Sequence, residues 1–478
     1  MTDNKLYIVL THFDKVEQNR LRKYIRSPYF NVNETLMIFY DILTEHINKN
    51  GKAGALIKEQ IWKKLYGKES FSDVRYRKLG SDLLKLVEGY LAQEIYEETP
   101  LQHINYLFEA VGRKKIDKLY GNAERSARLI SEQQLFRTAE YYYYQYLIEK
   151  NYYETLDVDM KRGEKSNVEK IINYLDEFFL AEKIKWYVSL LSRKTLVAHE
   201  YNLLFINEII EHIKLHNYSH NPAVSVYFQV LLTKIESDNE NHYYKLIELL
   251  DKFGSQFSMG ELYELYSGGL NYCVQKLNQG NTKFVEEHHR LYKFMLDKEI
   301  ALYASKNNEL SPWDFKNAIL SSLRLGYYDW TEKFIKNYQD KLSIEFRNNA
   351  VSYNLALVYF YQKKYDKVIS ILQSVEYEDI AYNLGSKSML LAIYYEQDED
   401  EALTSLMDSF KAFLHRHKDI ADNKRLPYSN LMKYIKKLLK LNPGDKKEIE
   451  LIRKEIDEDR KVGIASEKWV LEKLAELE

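Results

Sequence analysis

Punctuation is the strongest constraint this chain places on its own fold. Its 478 residues hold 6 prolines and 17 glycines, together under 5% of the chain, where average usage gives about 12%. Chain reversals are therefore few. A many-turned β-sandwich or barrel, and a low-complexity disordered chain, both need far more of these two residues, which leaves long helices joined by few turns. Five of the prolines, Pro28, Pro100, Pro222, Pro312 and Pro443, directly follow Ser, Thr or Asn; Pro427 follows Leu. A Ser, Thr or Asn oxygen accepts from the free amides of a first helical turn, and Pro fits the first helical position because its missing N–H has no partner there. These five are expected helix starts. Thr99-Pro100-Leu101-Gln102 has the spacing of a capping box, and Ser311-Pro312-Trp313-Asp314 is a near relative with Asp in place of Glu or Gln.

Between these marks apolar residues recur at helical intervals, as in Leu79, Leu83, Leu86, Val87 and Tyr90, or Val470, Leu474 and Leu477. No stretch alternates as a strand would. Turn-like clusters at Asn48–Gly54, Gly67–Asp73, Gly163–Asn167, Asn217–Asn221, Ser237–Asn241, Asn278–Asn281 and Asn442–Asp445 separate helices, which makes antiparallel helix pairs the expected unit. The apolar run at Leu6–Leu10 is too short for a signal-peptide core of about 7 to 15 residues. Nowhere do about 18 apolar residues run together to span a bilayer, so the expected address is cytoplasmic, without membrane contact. The 69 basic and 71 acidic residues give a formal net charge of −2, which argues against bulk electrostatic capture of nucleic acid. The lone Cys273 excludes an intramolecular disulfide and any cluster of several cysteines around zinc.

Ala350 to Val375, reading AVSYNLALVYFYQKKYDKVISILQSV, resembles a tetratricopeptide unit. Leu355, Ala356 and Tyr359 match the first-helix Leu, small residue and Tyr, while Val368 and Leu372 stand where the second helix usually has Ala and Phe. A second unit matches at Leu391, Ala392 and Tyr395, with Ala402 and Leu406 on its second helix and a spacing two residues short. A third precedes them, with Phe315 at the Trp place, Gly326 at the turn and Thr331 and Ile335 beyond. The resemblance covers about residues 315 to 414. It implies an all-α fold in which antiparallel helix pairs stack as a superhelical solenoid and hold a peptide or protein in a groove. On the best unit, Tyr353, Asn354, Leu357 and Tyr361 match first-helix positions that face the groove in that family.

Four segments are expected: an N-terminal helical domain (1–98), divergent helix pairs (99–310), tetratricopeptide-like repeats (311–441) and C-terminal capping helices (442–478). The first is mildly basic, with 15 Lys or Arg against 10 Asp or Glu between Asp14 and Tyr90. In it, an apolar helix with Ile57, Ile61, Trp62 and Leu65 precedes one opening at Asp73 with Arg75, Arg77 and Lys78, an order resembling a helix-turn-helix. The connector of about seven residues is long for that motif. The last segment carries Ile449, Ile452 and Ile456 on one helical face, a Glu450–Lys454 pair, and Ser466 as the expected cap of a helix bearing Trp469 and Val470.

Sites of chemistry are scarce. Gly67-Lys68-Glu69-Ser70 lacks the upstream Gly and adjacent hydroxyl of a phosphate loop. His212, His216 and His220 would align on one helix, but Asn217 to Pro222 read as its end; a solvated helix end is expected rather than a metal site. His288 and His289 point about 100° apart and are expected exposed or half-buried. Cys273 lies in an apolar stripe and is expected buried and inert. Tyr141 to Tyr144 step round a full helical circumference, so packing on both sides is expected, with a partner-facing aromatic surface as the alternative. The reading is a non-catalytic interaction scaffold or adaptor without cofactor or metal. Its alternative is a transcriptional regulator that binds DNA through residues 14–90 and senses a ligand with its repeats.

Overall fold

The computed structural model describes residues 4–49, 56–155, 166–194, 203–305, 307–372, 380–417, 420 and 422–478. The fold is all-α, with twenty-three α-helices and no strand among the described residues. The chain divides into two compact units, Met1–Glu182 and Lys183–Glu478. The division falls inside the expected 99–310 segment, within the helix Val168–Lys194 (α9).

In the first unit, α1 (Lys5–Thr11), α2 (Lys15–Arg26), α3 (Glu34–Asn48) and α4 (Lys58–Tyr66) precede the long α5 (Asp73–Glu98). α1, α2 and α3 all pack on α5. The periodicity explains why: Tyr76, Leu79, Leu83, Val87 and Tyr90 are its buried face, meeting Leu21, Ile25, Phe39 and Leu43 in one core. Each such aliphatic side chain contributes about 1.5–3 kcal/mol on burial. Asp14 starts α2 with a complete capping box to Glu17. The connector between α4 and α5 is Gly67–Ser72. α6 (Pro100–Lys114), α7 (Asp117–Gln133) and α8 (Ala139–Thr155) form a second cluster around Leu101, Phe108, Ala127 and Ile148. In α8, Tyr142 and Tyr144 are buried while Tyr143 is 38% exposed, so the tyrosine run packs on more than one side.

The second unit is a succession of hairpins after α10 (Ile206–Leu215): α11 (Pro222–Ile235) with α12 (Asn241–Phe253), α13 (Met259–Asn278) with α14 (Phe284–Asp297), α15 (Pro312–Arg324) with α16 (Tyr328–Tyr338), α17 (Ile344–Tyr361) with α18 (Tyr365–Leu372), and α19 (Ile380–Glu396) with α20 (Asp400–Arg416). Within each pair the helices pack on one another, and first helices also pack on the next first helix: α11 on α13, α15 on α17, α17 on α19. Small residues make the close crossings possible. A side chain at Gly268 would meet Val230, one at Gly269 would meet Leu291, and one at Gly385 would overlap the Tyr353 ring.

Four of these hairpins close with the same turn. At Gly280, Gly326, Lys363 and Asp398 the backbone is left-handed, with φ of 87°, 77°, 55° and 53°. In each, the next amide reaches back five residues: Asn281 to the Lys276 carbonyl, Tyr327 to Ser322, Lys364 to Tyr359 and Glu399 to Tyr394, at 2.9–3.0 Å. This is the Schellman arrangement, which satisfies the free carbonyls at a helix end.

The tail, α21 (Asp422–Leu438), α22 (Lys446–Asp459) and α23 (Glu467–Glu476), joins the core of α19 and α20. Ile449, Ile452 and Ile456 are buried as one face, and Lys454 lies 3.8 Å from Glu450. Trp469 Nε1 donates to Glu396 at 2.9 Å, and the buried Lys473 ammonium pairs with the same carboxylate at 2.8 Å.

Several local expectations are corrected. Pro100, Pro222 and Pro312 do start helices. Pro28 instead sits in the turn after α2, which the Asn31 side chain ties to the Ile25 and Asn33 carbonyls. Pro443 lies in the turn before α22, whose cap is Asp445. Pro427 is inside α21. The capping box at Thr99 is absent: α5 ends at Glu98, so the Thr99 hydroxyl donates back to the Ile95 carbonyl at 2.9 Å. Ser466 is left-handed and makes no capping hydrogen bond; its hydroxyl meets that of Ser388 at 3.0 Å. On α20 the buried positions are Leu403 and Met407, one residue beyond the expected Ala402 and Leu406, which are half-buried. The turns expected at Asn48–Gly54 and Gly163–Asn167 fall largely outside the described residues.

Candidate partner-binding face

The elements that position the four expected groove residues are α15, α17 and α19. Ser311 caps α15 by accepting from the Trp313 amide at 3.2 Å. Its first turn then carries Asp314, which does not close a capping box. Asp314 turns inward, where the Tyr263 and Tyr292 hydroxyls donate to its two oxygens, both at 2.9 Å. Burial raises its pKa, while the two hydroxyls oppose that shift. The arrangement ties α13, α14 and α15 together.

α17 is flanked by α15, α16, α18 and α19, and this decides where its side chains end up. Tyr353, Asn354 and Leu357 are 5%, 0% and 7% exposed. Tyr353 lies between α15 and α19: Lys316 Nζ is 5.3 Å from its ring centroid, and its ring is 5.1 Å from that of Tyr382. The Asn354 amide donates to the Ala350 carbonyl at 2.8 Å. Of the four, Tyr361 alone is partly open to solvent. The family pattern names a side of the first helix, but in this chain the following pair covers most of it.

Tyr361 marks the richer ground, at the C-terminal ends of α15 and α17. Burial raises the pKa of its hydroxyl, and the nearby Arg324 guanidinium opposes the rise. The Tyr328 hydroxyl donates to the Tyr361 carbonyl at 3.4 Å. Arg324 is exposed and has no carboxylate partner among the described residues, whereas Arg290 pairs with Glu287 and Arg347 with Asp340. Beside it, the His289 ring sits 5.3 Å from Tyr327 and 4.6 Å from Trp330.

His288 and His289 correct the sequence reading, for both are buried, at 5% and 7% exposure. Neither ring nitrogen of His288 has a hydrogen-bond partner among the described residues. Burial, Arg324 and His289 hold its pKa down to about 4. Burial, then Lys293, lowers that of His289. Tyr327 and Trp330, which lie against the His289 ring, belong to the turn after α15 and to α16, neighbours that are remote in the sequence.

The other constellations resolve more simply. α10 ends at Leu215, and His212 hydrogen-bonds to the Tyr218 hydroxyl at 2.8 Å. Among the described residues no group of three or more His, Cys, Asp or Glu is placed to hold a metal ion. Cys273 is fully buried, and burial pushes its thiol up to about 12. Arg75 stacks on Trp62 and Tyr66 and pairs with Glu69. Arg77 pairs with Asp73 at 2.6 Å. Cavities of about 190 Å³ beside Lys58, Tyr76 and Arg77, and about 180 Å³ beside Glu396 and Lys473, are below the ~300–1,000 Å³ of small-molecule sites. No described helix is long and apolar enough to cross a membrane.

Sequence reasoning missed Arg324 and the Asp314 cluster. Arg324 sits two residues before Gly326, so its only signal is its place at a helix end, where a cation is expected in any case. Comparison of the chain with protein-family models, with curated proteins and with solved structures found no match.

Proposed function

We propose that the chain is a non-catalytic interaction protein whose second unit, a tetratricopeptide-like series of helix pairs, holds a peptide or protein partner. The observation that carries this reading is the recurrence of one Schellman turn at Gly280, Gly326, Lys363 and Asp398, with successive pairs joined by α14 on α15, α15 on α17 and α17 on α19. Repeated pairs each contact only their neighbours, and such stacks present extended surfaces suited to chain-like ligands. The face runs along α13, α15, α17 and α19, with Tyr361 and its neighbours as the open part.

The test is crosslinked capture of the full-length chain from its own host, with crosslinked residues mapped by mass spectrometry. Partner crosslinks concentrated on α13 to α19 are expected. Crosslinks confined to residues before 183, or none above a denatured control, would overturn the reading.

A further inference from the structure

We infer that the chain pairs with a second copy of itself along α9, the two helices running antiparallel with their outward apolar stripes in contact around Phe179. This goes beyond the proposed function and does not depend on it.

The stripe belongs to one continuous helix. Leu180, Ala181, Ile184 and Tyr187 form the buried side of α9, while Val168, Ile172, Leu175, Phe179 and Trp186 are 39% to 62% exposed. Their steps of 4, 3, 4 and 7 residues are those of a coiled-coil seam, the pattern that another helix covers. Apolar residues exposed in a row, not singly, mark an interaction surface. Tyr143 of α8, whose ring lies 5.2 Å from that of Phe178, extends it.

Charge indicates what covers the stripe. At 100° per residue, the charged residues that share its side of the helix are, in order, Glu169, Asp176, Glu182, Lys183, Arg193 and Lys194. Acids occupy the first half and bases the second. Glu140, one turn before Tyr143 on α8, adds to the acidic half, and Lys185, on the far side of α9, is taken up by Glu261 at 2.8 Å. The helix dipole favours acid-then-base order only within the first and last turns, so it does not account for Asp176, Glu182 and Lys183 at mid-helix. Two parallel copies would set like charges side by side. Turned antiparallel, the acidic half of each lies over the basic half of the other. With Phe179 at the centre, Asp176 stands three residues before it and Lys183 four after it, so Asp176 of each copy comes beside Lys183 of the other. Such a contact is one patch meeting itself about a two-fold axis, the commonest way in which oligomers close. The seam supplies contact area, and the charges fix direction and register.

The test is the oligomeric state of the full-length protein by sedimentation. It should run as a dimer that dilution converts to monomer. Phe179→Glu, at an exposed position, should keep its helical circular dichroism spectrum and sediment as a monomer. Lys183→Glu should weaken the dimer about tenfold, and adding Asp176→Lys should restore it. Direction is read by cysteine crosslinking, in which Cys273 stays silent because it is fully buried. Ile172 and Trp186 each lie seven residues from Phe179, so an oxidised mixture of the Ile172→Cys and Trp186→Cys proteins should form mixed disulfides. Ile172→Cys alone should not crosslink. A monomer at every concentration, a dimer indifferent to Phe179→Glu, or a stripe that crosslinks only to a different protein overturns the inference. Self-crosslinking of Ile172→Cys means parallel helices and overturns it too. If Phe179→Glu loses its helical spectrum, the charge pair decides: a dimer that Lys183→Glu leaves equally tight overturns the inference. Each of these outcomes leaves the peptide-binding reading standing.

Discussion

The helices of residues 5–98 and those of residues 222–416 use the same apolar side chains for opposite kinds of organisation. In the first, one long helix, α5, collects α1, α2 and α3, so its core is made by elements up to four helices apart in the chain. In the second, the main packing partners are the next helix and the one after it. The lesson is about cooperativity. A shared central helix makes its whole bundle lose structure together, whereas neighbour-only packing confines damage to the pairs that touch the lesion.

The largest effect should come from the shared helix. Leu83→Ala, fully buried on α5, should cost about 3–5 kcal/mol, and hydrogen exchange should show protection falling across α1, α2, α3 and α5 together. Loss limited to α5 would break the contrast. Next is a pH effect placed in the hairpin series. His288 titrates in an unfolded chain near 6.5 and in the fold at about 4, chiefly because of burial. Above pH ~6.5 both states are neutral; as pH falls, the unfolded chain takes up the proton first, so stability drops until about pH 4 and then levels off. The loss amounts to about 3 kcal/mol, and thermal melts at pH 7 and 4.5 should show it shrink in His288→Leu. An unchanged acid sensitivity in that variant would remove His288 from the account.

Gly385→Ala should cost about 2 kcal/mol, because the new methyl group overlaps the Tyr353 ring in a well-packed crossing. Its exchange signature should stay within α17 to α21 and leave α5 untouched. The smallest effects belong to the turns. Gly326→Ala should destabilise by about 1 kcal/mol, and Lys363→Gly should stabilise by about 0.5 kcal/mol, since only glycine adopts the left-handed turn without steric cost. Chemical denaturation of the two variants checks both signs.

Much of this architecture was legible because helices advertise themselves locally. The 79/83/87/90 stripe of α5, the isoleucine face of α22 and the turn at Gly326 were read directly. What stayed hidden was set by distant neighbours. An apolar stripe shows that one side of a helix is covered, but α17 is covered on several sides, which is why Tyr353, Asn354 and Leu357 lie inside and Tyr361 does not. His288 and His289 carry no sign of α15 in their own segment. Asp314 looked like a helix cap because its partners, Tyr263 and Tyr292, come from the preceding pair.

The four matching turns have one further implication, for how such a chain encodes its period. Their shared element is a pair of backbone hydrogen bonds, and the residue at the left-handed position is Gly twice, Lys once and Asp once. The stop signal is thus carried by main-chain geometry, with the side chain nearly a free variable. A ruler laid over amino-acid types finds intervals of irregular length and changing letters, while a ruler laid over carbonyls and amides finds the same mark four times.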